Sequence, residues 1–143
     1  MKRKVGYAVF LVIVAVLCLC YFIDGDTPSG VELWKNALYS ADAEFGNGEK
    51  TVLVEVKAGD KSVTFTINTN ETILGTALAE NNLISGEEGP YGLYVKVVNG
   101  ITADYNTTGS YWSLNKNGEY MQTGVDKTEI SDGEHYELVY TQQ

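Results

Sequence analysis

The side chains in this sequence best suited to hold another molecule are a tyrosine-rich group near its C-terminal end. Tyr111, Trp112 and Tyr120 lie close together in the stretch YWSLNKNGEYMQTG, residues 111–124. An aromatic ring can pack in a core, or it can offer a flat apolar face to a ligand, and the tyrosine hydroxyl adds a polar contact. The choice between these roles depends on the strands that carry the rings.

A hairpin is predicted here, because Asn117–Gly118 is a strong signal for a two-residue turn between strands. Side chains alternate between the two faces of a strand, so one face is apolar and the other is polar. The apolar face carries Trp112, Leu114 and Met121. The polar face carries Tyr111, Ser113, Asn115, Tyr120 and Gln122. Trp112 is therefore predicted to be core, whereas Tyr111 and Tyr120 are candidates either for ligand contact or for cross-strand packing.

Residue types that build catalytic and metal sites are scarce. His135 is the only histidine, and both cysteines lie in the apolar N-terminal segment. A zinc site needs several nitrogen or sulfur ligands, and DKTEISDGE (126–134) lacks the spacing of a calcium loop. No nucleophile elbow, phosphate loop or dinucleotide motif is present. We therefore predict no catalytic residue and no metal ligand, and we interpret the acids of residues 126–134 as a solvated surface, with weak calcium binding as the minor alternative.

The N-terminal segment differs sharply from the rest of the chain in charge. The 143 residues carry a formal net charge of −9, whereas residues 1–23 contain three basic residues and no acid. Residues 24–143 are strongly acidic, which argues against a nucleic-acid partner, because phosphate contacts need clustered Lys and Arg. The two parts of the chain are therefore expected to occupy different environments.

A membrane anchor is predicted at residues 5–23, a run of 19 residues without a charge. At a rise of about 1.5 Å per residue this run would span roughly 28 Å, close to the hydrocarbon thickness of a bilayer. The preceding basic cluster favours a cytoplasmic N-terminus and an extracytoplasmic domain. Cleavage or lipid attachment, leaving a secreted or lipid-anchored protein, is the alternative, although no small residue stands at the position that such processing needs.

The remainder is predicted to be one α+β domain. Residues 24–50 are a linker and an approach segment, with 31–45 ambiguous between helix and strand. Alternating patterns predict strands at 51–58 and 62–67, and a helix at 73–83 with Thr72 as its N-cap. A glycine-rich loop at 85–92 precedes a strand, and a strand-rich end follows. This order predicts a β-grasp-like domain at 51–143, in which a mostly antiparallel sheet packs on one helix.

Two stretches of the chain also resemble a known family. They are LGTALAENNLISGEEGPYGLYVKVVNGITADY (74–105) and YWSLNKNGEYMQTGVDKTEISDGEHYELVYT (111–141). Their helix LGTALAE, strand YGLYVKVVNGI, YW pair, hairpin NGEY and TGVD are similar to the transcobalamin-like C-terminal domain family of bacterial surface proteins. That family is a domain of unknown function, similar to the C-terminal domain of transcobalamin and intrinsic factor. The resemblance implies a β-grasp-like fold.

The resemblance implies binding outside the cell. In the animal carriers this domain covers one face of vitamin B12 while a helical domain holds the other face. We therefore expect a membrane-tethered domain that captures a small ligand, with a corrinoid such as cobalamin as the candidate and Tyr91, Tyr94, Tyr111 and Tyr120 as ligand-binding residues. The alternative is a surface module that binds an envelope protein and has no small ligand. A concave pocket beside Tyr111 and Tyr120 would favour the first hypothesis, and a flat patch the second.

Overall fold

The computed structural model describes residues 32–90 and 92–142. Within these residues nine strands form a six-stranded sheet, in the order β1-β3-β2-β9-β7-β8, and a three-stranded sheet, in the order β4-β5-β6. The strands are β1 (Ala43–Phe45), β2 (Lys50–Ala58), β3 (Lys61–Thr69), β4 (Ile84–Gly89), β5 (Gly92–Val98), β6 (Ile101–Thr102), β7 (Ser110–Lys116), β8 (Glu119–Tyr120) and β9 (His135–Gln142). The helical segments in the described residues are a turn at residues 32–34, α1 (Leu74–Glu80), α2 (Tyr105–Thr108) and a 3₁₀ turn at Val125–Lys127. The predicted mostly-sheet α+β class is confirmed.

The predicted anchor at residues 5–23 lies outside the described residues. Among the residues that are described, no helix has both the length and the apolar character needed to cross a membrane.

The six-stranded sheet buries one face because its strands alternate in polarity. β2 and β3 pair antiparallel along their whole length, with Val54 opposite Phe65. β2 pairs in parallel with β9, and β9 pairs antiparallel with β7. The inward side chains of these strands join those of α1 in one hydrophobic core. Its largest fully buried members include Tyr136, Phe65, Ile67, Leu74 and Leu78.

The predicted N-cap at Thr72 is wrong. Helix α1 begins at Leu74, its N-cap is Ile73 in extended conformation, and no side chain caps it. Residues 72–73 are instead paired with the segment after the 3₁₀ turn: Ile130 donates its N–H to the Thr72 carbonyl, and the Leu74 N–H is satisfied by the Thr128 carbonyl at 2.9 Å. Backbone pairing thus replaces the side-chain cap.

The hairpin turn at Asn117–Gly118 forms as predicted, whereas strand β4 was not predicted. Asn117 and Gly118 both have positive φ, and Lys116 pairs with Glu119 across the turn. The predicted loop at 85–92 forms most of β4, which pairs antiparallel with β5 and contains a bulge between Ser85 and Gly86. The approach segment contains both predicted alternatives, a helical turn at residues 32–34 and the strand β1.

Candidate functional site

A concave cleft of about 200 Å³ lies between the two sheets. One wall is the start of β5, residues 93–95, and the opposite wall is β7, residues 111–114. Residues 120–125, which lead from the hairpin to the 3₁₀ turn, and Leu138 complete the lining. The cleft is therefore built from segments that are distant in the sequence.

Three of the four predicted ligand-binding tyrosines line this one cleft: Tyr94, Tyr111 and Tyr120. Tyr120 is 70% exposed and Tyr94 is 41% exposed, so both rings are available at the rim. Tyr111 is half-buried, and its ring lies 6.4 Å from that of Tyr105, between ring centroids. The fourth residue, Tyr91, lies outside the described residues. The prediction that these rings contact a ligand stays a prediction.

Trp112 fixes the β7 wall. It is buried, as predicted, and its ring meets the Tyr140 ring edge-on with 5.6 Å between centroids. Its indole Nε1 donates a hydrogen bond to the Ile101 carbonyl at 3.3 Å, which links β7 to the three-stranded sheet. Because Trp112 also borders the cleft, the same residue packs the core, lines the cleft and links β7 to β6.

Among the described residues, each wall is formed by a strand that has no neighbouring strand on the side facing the cleft. β8 pairs with β7 only at Asn115 and Lys116. One residue beyond β8, the Met121 N–H donates a hydrogen bond to the Leu114 carbonyl. β6 pairs with β5 only at Val97 and Val98. Backbone groups at such an edge can form further hydrogen bonds, although Asp126 already accepts the Leu93 N–H and the Leu114 carbonyl already accepts the Met121 N–H. Sequence reasoning missed this feature because edge pairing depends on contacts between distant segments.

The cleft lining carries no ionised side chain among the described residues. Its polar groups are the hydroxyls of Ser113, Thr123 and the tyrosines, together with the Gln122 amide. This neutrality contrasts with the chain's net charge of −9. Desolvating an ion without a partner is costly, so the lining suits an uncharged ligand group with hydrogen-bonding capacity.

The segment that closes the cleft is held by its own hydrogen bonds. The Thr128 hydroxyl donates to the Gly124 carbonyl at 2.8 Å and lies 3.1 Å from the Thr123 hydroxyl. Asp126, interpreted from the sequence as a solvated acid, instead accepts the Leu93 N–H through Oδ2 at 2.8 Å. That interpretation is wrong for Asp126, because its carboxylate lies against the β5 backbone.

In the described part of the chain, no group of three or more His, Cys, Asp or Glu side chains is placed to hold a metal ion. The sole histidine, His135, opens β9, with Nε2 3.7 Å from a Glu55 carboxylate oxygen. It is not part of the cleft lining.

A family model described as a domain of unknown function, DUF4430, matches residues 70–141. The crystal structure of a candidate metal binding protein from Ruminococcus gnavus is 36% identical, with a TM-score of 0.63, and the match covers 66% of this chain and 99% of that one. No curated protein matches the chain.

Haptocorrin, solved in complex with Cbi, is also similar in structure. The identity is 21% and the TM-score is 0.53, and the match covers 68% of this chain and 26% of haptocorrin. At this level of identity the likeness concerns the fold. The chain corresponds to about a quarter of haptocorrin's length.

Proposed function

This chain belongs to the DUF4430 family, a transcobalamin-like C-terminal domain, and from that premise we propose that it is a non-enzymatic binding domain whose cleft takes a small uncharged ligand. The observation that carries the proposal is the concave cleft beside Tyr111 and Tyr120. Ligand sites in proteins are typically concave and mostly apolar, with a few convergent polar groups. A flat tyrosine patch would instead have favoured a protein partner.

A corrinoid is the ligand class that we propose to test first. Haptocorrin was solved with Cbi bound, and the region similar to this chain is part of that protein. The strand order β3-β2-β9-β7, with its central parallel pair and α1 following the first hairpin, supports the β-grasp-like layout that the family resemblance implies. A flat macrocycle with neutral amide arms suits tyrosine rings, hydroxyls and unpaired strand edges.

The size of the cleft indicates how such a ligand would bind. Pockets that enclose a drug-sized ligand have volumes of about 300–1,000 Å³, and this cleft measures about 200 Å³. The cleft therefore takes an edge or one side arm of a corrinoid, while Tyr94 and Tyr120 contact the part that remains outside.

We further propose that the domain acts outside the cytoplasm, tethered by residues 5–23, and presents its ligand to an uptake system. The supports are the 19-residue uncharged run and the basic cluster that precedes it. A protease-protection assay on intact cells tests the orientation. Resistance of the domain to external protease in intact cells, with digestion after lysis, would contradict it.

Titration of the 143-residue chain in mild detergent with cyanocobalamin and with cobinamide tests the ligand class. Calorimetry is expected to give saturable heat, and absorbance a spectral change. Replacing Tyr111 with alanine should weaken binding by about tenfold, because an aromatic contact contributes about 0.5–1.5 kcal/mol beyond area burial. Leu53→Ala is the control, since Leu53 is exposed and does not line the cleft. No heat or spectral change at high micromolar ligand would remove the corrinoid version.

A protein partner is the second candidate, and the unpaired edge of β7 is the observation that favours it. An extended peptide can add a strand to such an edge. Crosslinking in intact cells through a photoreactive residue at position 120 tests this candidate. Absence of a recurrent crosslinked protein would count against it.

A further inference from the structure

The outer part of the β4–β5 hairpin forms one wall of the cleft, and Leu93 and Val95 on its β5 side pack against the hydrophobic core. We call residues 86–89 and 92–95 the flap. Every β4 residue after Ile84 is exposed, and two of these residues, Gly86 and Gly89, have no side chain that could pack. A two-stranded hairpin is marginally stable by itself in water. The position of the flap therefore depends on contacts that it makes with the rest of the domain.

Asp126 makes such a contact. Its Oδ2 accepts the Leu93 N–H at 2.8 Å, on the edge of β5 that faces the cleft. Gly92 makes this approach possible: its φ is +106°, and a Cβ placed on it would lie 2.4 Å from Oδ2. The other oxygen, Oδ1, is buried without a hydrogen-bond partner. The carboxylate is thus held against the flap backbone through one oxygen.

The residues beside Asp126 are fixed to the body of the domain. Val125 is buried in the core. The helix α1 packs closely on this turn, because a Cβ on Gly75 would lie 3.2 Å from the backbone of Val125 and Asp126. The Thr128 carbonyl accepts the Leu74 N–H at 2.9 Å. Asp126 therefore reaches the flap from a rigid base.

We propose that Asp126 is a positioning residue of the cleft, which holds the flap at a fixed distance from β7 so that the ligand meets a formed site. Asp126 is not among the cleft-lining residues, so it acts through Leu93 and its neighbours. The effect on ligand affinity rests on the proposed function, whereas the effect on the flap does not.

Amide hydrogen exchange, followed by mass spectrometry on the 143-residue chain in mild detergent, tests the positioning role without a ligand. In Asp126→Ala the peptides covering 92–98 should exchange about tenfold faster or more, because a hydrogen bond to a charged group is removed at an edge strand. Asp126→Asn keeps an acceptor oxygen for the Leu93 N–H and should retain most of the protection. Asp132→Ala is the matched control: Asp132 Oδ1 accepts the Thr51 N–H at 2.7 Å, and its loss should leave the flap unchanged.

Two results would overturn the proposal. One is unchanged exchange at 92–98 in Asp126→Ala. The other is an equal acceleration in all peptides, which would assign Asp126 to global stability. Cyanocobalamin titration of the same variants tests the corrinoid ligand separately from the positioning role of Asp126. Faster flap exchange in Asp126→Ala, together with no corrinoid binding by the unmodified chain, would refute the corrinoid ligand alone. If the unmodified chain binds, Asp126→Ala should bind more weakly and Asp126→Asn should not.

Discussion

Replacing Lys57 with methionine removes the positive charge from a row of acids on the outer face of the main sheet. Parallel pairing of β2 and β9 places Glu55 directly beside Glu137. Lys57 Nζ lies 2.7 Å from the Glu137 carboxylate. The hydrogen bond from Lys57 is the main cause that lowers the pKa of Glu137 below its ordinary value, although burial acts in the opposite direction. Without Lys57, the two neighbouring carboxylates repel each other with less compensation.

The expected loss is about 1 kcal/mol of unfolding free energy at pH 7. A hydrogen bond to a charged group contributes about 1.5–3 kcal/mol, and an exposed ion pair about 0.2–1 kcal/mol. The Glu137 side chain is 12% exposed and that of Lys57 is 42% exposed, so solvent screening brings the effect toward the lower range. Methionine keeps most of the aliphatic stem, which limits the packing loss.

The sign of the pH dependence follows from the two shifted groups. Glu137 has a lowered pKa in the folded state, so its contribution is complete above its ordinary pKa of 4.5 and is lost as the pH falls through the folded value. Lys57 has a raised pKa, so its contribution is complete below its ordinary pKa of 10.5 and is lost as the pH rises through the folded value. The difference between Lys57→Met and the parent chain should therefore be largest between these limits.

Urea unfolding, monitored by fluorescence of the buried Trp34 and Trp112, measures this difference at pH 7 and at about pH 2.5, well below the ordinary carboxyl range, so that Glu137 is protonated despite its lowered pKa. Lys35→Met is the matched control: Lys35 pairs with Glu32 at 3.6 Å, both side chains are mostly exposed, and the expected change is below about 0.5 kcal/mol. An equal loss at both pH values would refute the electrostatic reasoning and assign the effect to packing of the side-chain stem.

Two further predictions concern the hairpin beside the cleft. Tyr120→Ala should change the unfolding free energy by less than about 0.5 kcal/mol, because the ring is 70% exposed, yet it should weaken the proposed corrinoid binding. Urea unfolding and calorimetry measure the two effects, and a stability loss without an affinity loss would contradict the assignment to the rim. Gly118→Ala should cost about 1 kcal/mol because φ is +85°, although open space surrounds the position. Thermal unfolding checks this, and an unchanged midpoint would show that the turn adopts another geometry.

Local patterns in the sequence were sufficient for much of the fold. Alternation along β2 and β3 predicts the strands and their buried faces, and the turn at Asn117–Gly118 predicts the hairpin register, because each depends on residues close in the chain. β4 could not be predicted in this way, since ISGEEG contains a single β-branched residue. Its strand conformation comes from pairing with β5, which supplies partners for the backbone groups.

The candidate site was predictable only in part. Tyr111 and Tyr120 are placed together by a local hairpin, and both line the cleft. The opposite wall, with Tyr94, comes from a different sheet, and no periodicity links the two. The contact between Asp126 and Leu93 joins residues 33 positions apart, so nothing in the sequence near Asp126 distinguishes it from a solvated acid.

A cleft of about 200 Å³ sets a limit on what the described domain can achieve alone. A corrinoid that enters by an edge or one arm leaves most of its apolar surface in water, and burial contributes roughly 25 cal/mol per Å². In haptocorrin the matched region is 26% of the chain. A second surface that covered the exposed ring face on this domain would add burial without altering the cleft. The affinity measured for the chain alone is therefore expected to be modest and to rise when such a surface is supplied. Each gain of about 1.4 kcal/mol in binding free energy corresponds to a tenfold gain in affinity.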